Sequence, residues 1–183
     1  MQQRQKRTAL VLSGGGARGS YQVGALKAIA HIQPDGGMNP FDIICGTSAG
    51  ALNASMLACE SDHYGHAVKR LETLWQNLQS DQIHKVGYTQ LLKSTLRLFF
   101  SFFHDGIASG AASALLDNEP LRKLLSTEIN FDKLDEHINN GRLHALCITA
   151  LAYNSGHNIS FFQGDSNIKG WRRNQRLGVG TRL

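Results

Sequence analysis

Hydrophobic residues along the chain fall either into short dense runs or into spaced stripes, and the two textures predict different elements. "TALVLS" (8–13) and "FDIICG" (41–46) are nearly continuous apolar runs, too short for helices and typical of parallel strands buried on both faces. Between them, "SYQVGALKAIAHI" sets Tyr21, Val23, Leu26, Ile29 and Ala30 close to helical spacing, and "ALNASMLACE" after the second run is helix-like. "HYGHAVKRLETLWQNLQ" carries Val68, Leu71, Leu74, Trp75 and Leu78 on one stripe. "DNEPLRKLLSTEI" opens with a capping residue and has Pro120 in its first turn, a standard helix start. "FDKLDEHINNGR" is expected to close as a helix at Asn140-Gly141. "LHALCITALAYN" and "HNISFFQG" then read as two strands joined by a turn at Ser155-Gly156. Strand, Gly-rich turn and helix, repeated, predict a parallel sheet with crossover helices.

One segment breaks the pattern. "LLKSTLRLFFSFFH" (91–104) is the most apolar stretch, with Lys93 and Arg97 interleaved. The plainer reading is a core helix. The sharper one is an amphipathic element at a lipid surface, its two cations facing headgroups and its phenylalanines entering the interface. No apolar run approaches the ~20 residues that span a bilayer, and the N-terminus lacks the apolar region of a signal peptide. The cytoplasm is therefore the default expectation, with peripheral membrane contact through 91–104 as its extension.

Composition adds bounds. The 183 residues, 42% of them hydrophobic, suffice for one packed domain, read as a basic tail over 1–7 followed by a single domain over 8–183. Net charge is +5, with clusters at Arg4, Lys6 and Arg7 and at Lys169, Arg172, Arg173 and Arg176. That balance favours anionic partners, but no basic stretch is interleaved with aromatics on a nucleic-acid module, so none is expected. Cys45, Cys59 and Cys147 are widely spaced, and an odd count without a CxxC pair argues against both a disulfide framework and a zinc site. They read as small buried hydrophobes; no metal or cofactor is expected.

The chemistry lies in the two glycine-rich turns. Gly46-Thr47-Ser48-Ala49-Gly50 is a GxSxG sequence between an apolar strand and an Ala-rich helix. A sharp strand-to-helix turn needs small residues two before and two after the serine, and it projects Oγ at the carboxyl end of the sheet. There the helix N-terminus can steady negative charge. Serine attack on an acyl carbonyl creates an oxyanion that needs fixed donors at ~3 Å. Gly14, Gly15 and Gly16, in "SGGGARG" at the end of the preceding strand, can supply such N–H groups beside Ser48. Arg18 either reinforces that charge binding or ties the loop down.

"LVLSGGGARGSYQVGALKAI" followed by "DIICGTSAGALNA" closely resembles the patatin-like phospholipase family, whose pattern is an oxyanion loop G-G-G-x-[RK]-G and a nucleophile elbow G-x-S-x-G. Both match through Gly14, Gly15, Gly16, Arg18 and Gly19, then Gly46, Ser48 and Gly50. Beyond these motifs the likeness is looser, with "LCITALAYNSGHNISFFQG" similar to a later strand pair of the family. The resemblance implies a three-layer α/β/α sandwich with a mainly parallel central sheet. It also implies a lipid acyl hydrolase acting on phospholipid or another lipid ester through a Ser–Asp dyad, with Ser48 as nucleophile and no required histidine.

The family's aspartate stands in a D-G-[GA] motif well after the nucleophile. Here Asp35-Gly36-Gly37 precedes Ser48 and reads as a plain loop, while Asp105 and Asp165 lie later but outside that motif. The chain is thus expected to be the N-terminal part of the domain, C-terminally incomplete, with the dyad aspartate beyond residue 183. One alternative is a non-catalytic patatin-like module that binds lipid or protein. A dinucleotide-binding Rossmann unit is another, since Gly14, Gly16 and Gly19 also satisfy GxGxxG. It needs an acidic residue at the carboxyl end of the second strand, where GTSAG stands instead. A Ser–His–Asp site using His144 or His157 is a further reading, without a motif to place either histidine.

Overall fold

A computed structural model describes residues 6–33, 37–79, 125–152, 157–170 and 178–182. Strand β1 (Ala9–Leu12) leads through a single 3-10 turn at Gly16–Arg18 into helix α1 (Gly19–Ile32). Strand β2 (Ile43–Thr47) leads directly into α2 (Ala49–Cys59), and α3 (Tyr64–Gln79) follows. After a helical turn at 125–128 come α4 (Asp132–Asn139), β3 (Ala145–Ala152), β4 (His157–Gly164) and β5 (Gly178–Arg182). The five strands form one sheet in the order β1-β2-β3-β4-β5. All neighbours are parallel except β3 and β4, whose antiparallel pairing is that of the expected hairpin. The chain therefore has the mainly parallel α/β fold that the sequence predicts.

The register sorts side chains by face. Leu10 and Leu146 flank Ile44, and Leu12 and Ile148 flank Gly46 in the next inward-facing row. This face meets α2, which is buried on nearly every side from Asn53 to Cys59 and therefore has no polar face. Ala54, Met56, Leu57 and Ala58 join Val23 and Leu26 of α1, Val68, Leu71, Leu74 and Trp75 of α3, and Leu134 of α4 in one core. Each fully buried Leu or Met contributes about 1.5–3 kcal/mol, so α2 is the hub of the described fold. These four helices form one of the two outer layers of the expected sandwich.

Two expectations need correction. Burial of β1 on both faces is not found: Leu12 is buried but Val11 is 74% exposed, because Val11 points to the face opposite the one that the described helices cover. Tyr21 is 83% exposed; it lies two positions from Val23, about 200° around the helix, so it points away from the core stripe. The α3 stripe holds at Val68, Leu71, Leu74 and Trp75, while the Leu78 side chain lies outside the described residues, as does the whole 91–104 segment. Helix α4 ends as read, with Gly141 at φ 71° and its N–H donating to the Ile138 carbonyl at 3.0 Å. Strand β5 was not expected: GVGTR offers two glycines and little β propensity, and its pairing with β4 rather than local pattern makes it a strand.

Candidate active site

The turn after β2 is as sharp as its sequence requires. Ser48 stands between the last residue of β2 and the first of α2 with φ 55° and ψ −124°, the one non-glycine among the described residues with positive φ. Such a backbone costs of order 1–3 kcal/mol and persists only where its surroundings enforce it. They do so through Gly46 and Gly50. A Cβ at Gly46 would come 2.4 Å from the Gly50 carbonyl oxygen, and one at Gly50 would come 2.2 Å from the Leu12 carbonyl oxygen. The bend thus packs backbone against backbone, with α2 pressed onto the end of β1. The Ser48 carbonyl accepts the Ala51 N–H at 2.8 Å, opening α2 directly behind the serine.

The parallel register brings the two glycine turns to the same end of the sheet. Leu12 pairs with Gly46, so the chain leaving β1 and the chain leaving β2 emerge side by side at the carboxyl rim. Gly14 lies against the serine: a Cβ there would be 3.1 Å from Ser48 Cβ and 3.8 Å from its Oγ. Among the described residues, the N–H groups of Gly14, Gly15 and Gly16 donate to no backbone carbonyl, and Gly16 has φ 56°. Arg18 folds back on the same loop, its backbone N–H donating to the Gly15 carbonyl at 3.1 Å and its Nε approaching that oxygen at 3.5 Å. Thr47 closes β2 and Ala49 starts α2, where the Ala49 Cβ lies beside Gly19.

A buried amide network holds this arrangement. Asn53, 0% exposed, donates through Nδ2 to the Gly19 carbonyl (3.1 Å) and to Gln22 Oε1 (3.0 Å). Its Oδ1 accepts the Trp75 indole N–H at 2.9 Å. Gln22 Nε2 in turn donates to the Ser13 carbonyl at 2.7 Å. Both ends of the 13–19 loop are therefore tied to the helix behind Ser48. Sequence reasoning missed Asn53 and Gln22 and took Trp75 only as core. The available signal was a lone amide in the Ala-rich α2, a residue type that favours caps and turns over helix interiors.

The rim positions sort the other candidates. The Ser48 Oγ is buried with no hydrogen-bond partner among the described residues. Asp165 follows β4, whose last residue Gly164 pairs with Ala145, itself the partner of Ile43. That is the amino rim, five residues or roughly 16 Å along the strands from Ser48. There the Asn167 backbone N–H and side-chain amide hydrogen-bond its carboxylate, holding its pKa below the usual range. His144, which donates its backbone N–H to the Asp42 carbonyl at 2.6 Å, is at that rim too. His157 starts β4 opposite Ala152, at the carboxyl rim but two strands from β2. Asp42 stands at the amino end of β2, its carboxylate taking the Thr8 N–H at 2.6 Å, so no acid occupies the ribose position of a dinucleotide fold. Asp35 and Asp105 lie outside the described residues. Among the described residues no group of three or more His, Cys, Asp or Glu is placed to hold a metal, and no helix is long and apolar enough to cross a membrane.

Comparison with known proteins agrees with the fold. Over 86 residues, 44% of this chain and 5% of the relative, it is 42% identical to lysophospholipase nte1 of Aspergillus terreus. It is 51% identical over 92 residues to patatin-like phospholipase domain-containing protein 7 of Mus musculus, covering 50% of this chain and 6% of that one. With the protein YjjU of Escherichia coli it shares 44% identity over 62 residues, 34% of this chain and 16% of the other. The chain thus spans only a small part of the length of these relatives. No solved structure matches it. The model of one family, patatin-like phospholipase, matches residues 10–176, and the chain belongs to that family.

Proposed function

We propose that this chain carries the nucleophile and the oxyanion-binding loop of a lipid acyl hydrolase, within a single patatin-like domain that begins after the basic tail. The observation that carries the reading is the contact of Gly14 with a backbone-strained Ser48 at the carboxyl rim of a parallel sheet. Ser48 Oγ attacks the ester carbonyl as its proton passes to a base. The carbonyl oxygen, now negative, is met by the N–H groups of the Gly14–Gly16 loop and by the positive end of α2. Collapse expels the alcohol, a lysolipid or a glycerol-based headgroup, and leaves an acyl-serine that water cleaves to the fatty acid. Arg18, folded onto the Gly15 carbonyl, acts by fixing the loop. The base in this scheme is an aspartate on a segment other than those described, since Asp165 stands at the far rim. Lipid ester as the substrate class rests on the family and on the names of the fungal and mouse relatives.

A fluorophosphonate probe tests the reading, because it captures an activated serine irrespective of the natural ester. Labelling of Ser48 that disappears in Ser48→Ala is the expected result; equal labelling of the variant overturns it. A second reading, lipid binding without turnover, is favoured by one observation, the Ser48 Oγ without a hydrogen-bonded base among the described residues. It predicts no labelling together with retention on phospholipid vesicles.

A further inference from the structure

The hydrolase reading leaves two cysteines unused, and the sheet places them together. Cys45 of β2 and Cys147 of β3 are direct partners in a parallel ladder, so both side chains leave the sheet on the same face. Adjacent strands are about 4.8 Å apart, inside the roughly 4.4–6.8 Å between Cα atoms that a disulfide requires. The two thiols therefore stand side by side, and Ser160 of β4, the partner of Thr149, lies on the same face diagonally across from Cys147. Ser160 Oγ lies 3.0 Å from Thr149 Oγ1, so a pair of hydroxyls flanks Cys147 on this face. Both cysteines are free and half-buried, whereas Cys59 is fully enclosed in the core. Beside Cys45 on the edge strand stands the exposed Val11, so a small reagent reaches the pair from the β1 side.

We propose that Cys45 and Cys147 form a redox-active dithiol that hydroperoxides convert into an intrachain disulfide linking β2 to β3. Hydrogen bonding by Cys45 and Ser160 stabilises the Cys147 thiolate, bringing its pKa down to about 7, while donation and burial hold Cys45 as the thiol well above its ordinary value. Cys147 is then the attacking sulfur. Its thiolate takes the distal oxygen of the peroxide, the O–O bond breaks, and the departing oxygen is protonated to water or an alcohol. The resulting sulfenic acid is attacked by Cys45; the S–S bond forms, the S–O bond breaks, and hydroxide leaves with the Cys45 proton as water. Two thiols are oxidised and one peroxide is reduced. The crosslink sits three residues before Ser48, on the strand that leads into its turn, and its formation does not depend on the hydrolase reading.

The test uses the reduced 183-residue chain, exposed to hydrogen peroxide, alkylated and mapped by mass spectrometry. Expected are the loss of two hydrogens, a linked Cys45–Cys147 peptide, an alkylated Cys59 and full reversal by dithiothreitol. In Cys45→Ser, which lacks the resolving thiol, Cys147 is expected to proceed to sulfinic acid. The proposal is overturned if wild-type Cys147 over-oxidises just as it does in Cys45→Ser. It is equally overturned by a disulfide that uses Cys59 or joins two chains, or by both thiols staying reduced at peroxide levels that oxidise free cysteine.

Discussion

Replacing Asn53 with alanine removes the amide on which α1, α3 and the glycine loop converge, and its cost can be worked from the contacts. Asn53 is wholly buried and makes three hydrogen bonds, to the Gly19 carbonyl, to Gln22 and from the Trp75 indole. Truncation leaves the Trp75 N–H buried without an acceptor, a loss of ~1–3 kcal/mol, and strips the Gly19 carbonyl of a donor for roughly another 1 kcal/mol. A total near 3 kcal/mol, at an m-value of about 2 kcal/mol/M, moves the urea midpoint down by about 1.5 M. The same bond can be isolated by a double-mutant cycle with Trp75→Phe, which deletes the donor while keeping an aromatic ring. Once the N–H is gone, losing its acceptor costs less, so the two substitutions together should cost ~1–2 kcal/mol less than their sum. Urea unfolding of the four proteins, followed by circular dichroism with m held common, measures this directly. Costs that add to within ~0.3 kcal/mol would refute the reasoning, because the contact would then carry no energy of its own.

Ser48→Gly should abolish fluorophosphonate labelling yet raise stability by ~1 kcal/mol, since glycine accepts positive φ and the relieved strain exceeds its added unfolded-state entropy. For a chain of 183 residues that appears as a melting temperature about 2–4 °C higher by scanning calorimetry. Gly50→Ala should cost ~3 kcal/mol or more, its methyl directed 2.2 Å from the Leu12 carbonyl oxygen. By contrast, Gly24→Ala in the middle of α1, where a Cβ meets nothing within 4 Å, should stabilise by about 0.5–1 kcal/mol; the same calorimetry compares the two. Alkylation of Cys147 by iodoacetamide should rise with pH through a midpoint near 7 instead of the ordinary 9.0, because only the thiolate reacts. At pH 7 about half the sulfur is then thiolate against about 1% at the ordinary value. After the lower intrinsic nucleophilicity is allowed for, the rate should be roughly six-fold faster than in Cys45→Ala, where the midpoint moves back up.

How much was readable follows the range of the interaction that decides each element. The two strand–turn–helix units were legible because backbone sterics act locally: Gly46 and Gly50 flank Ser48 in sequence as they do in space. The α3 stripe and the Gly141 cap were legible for the same reason. What escaped depends on partners far along the chain. GVGTR becomes β5 by pairing with β4, and Val11 is exposed because the described helices all pack on the opposite face of the sheet. The juxtaposition of Cys45 with Cys147 requires the β2–β3 register, which no spacing rule encodes. Asp165, sequentially a late candidate for the base, is removed by the direction of β4, a property of the hairpin and not of the residue. The contact of Gly14 with Ser48 was expected from chain order alone, since sequential parallel strands tend to lie side by side.

The edge position of β1 has a consequence for how the candidate site fails. Ser48 is rooted in α2, at the centre of the core, whereas the glycine loop hangs from the outermost of the described strands, which pairs among them with β2 alone. Proteins open in cooperative pieces of unequal stability, and edges open first. Ser48 and the glycine loop beside it therefore belong to regions with different opening free energies, joined through Asn53 and Gln22. Fraying of β1 would leave Ser48 in place, its elbow loosened where Gly50 packs on Leu12, with the glycine loop no longer against it. The activity proposed for the site would then vanish in a population that circular dichroism still counts as folded.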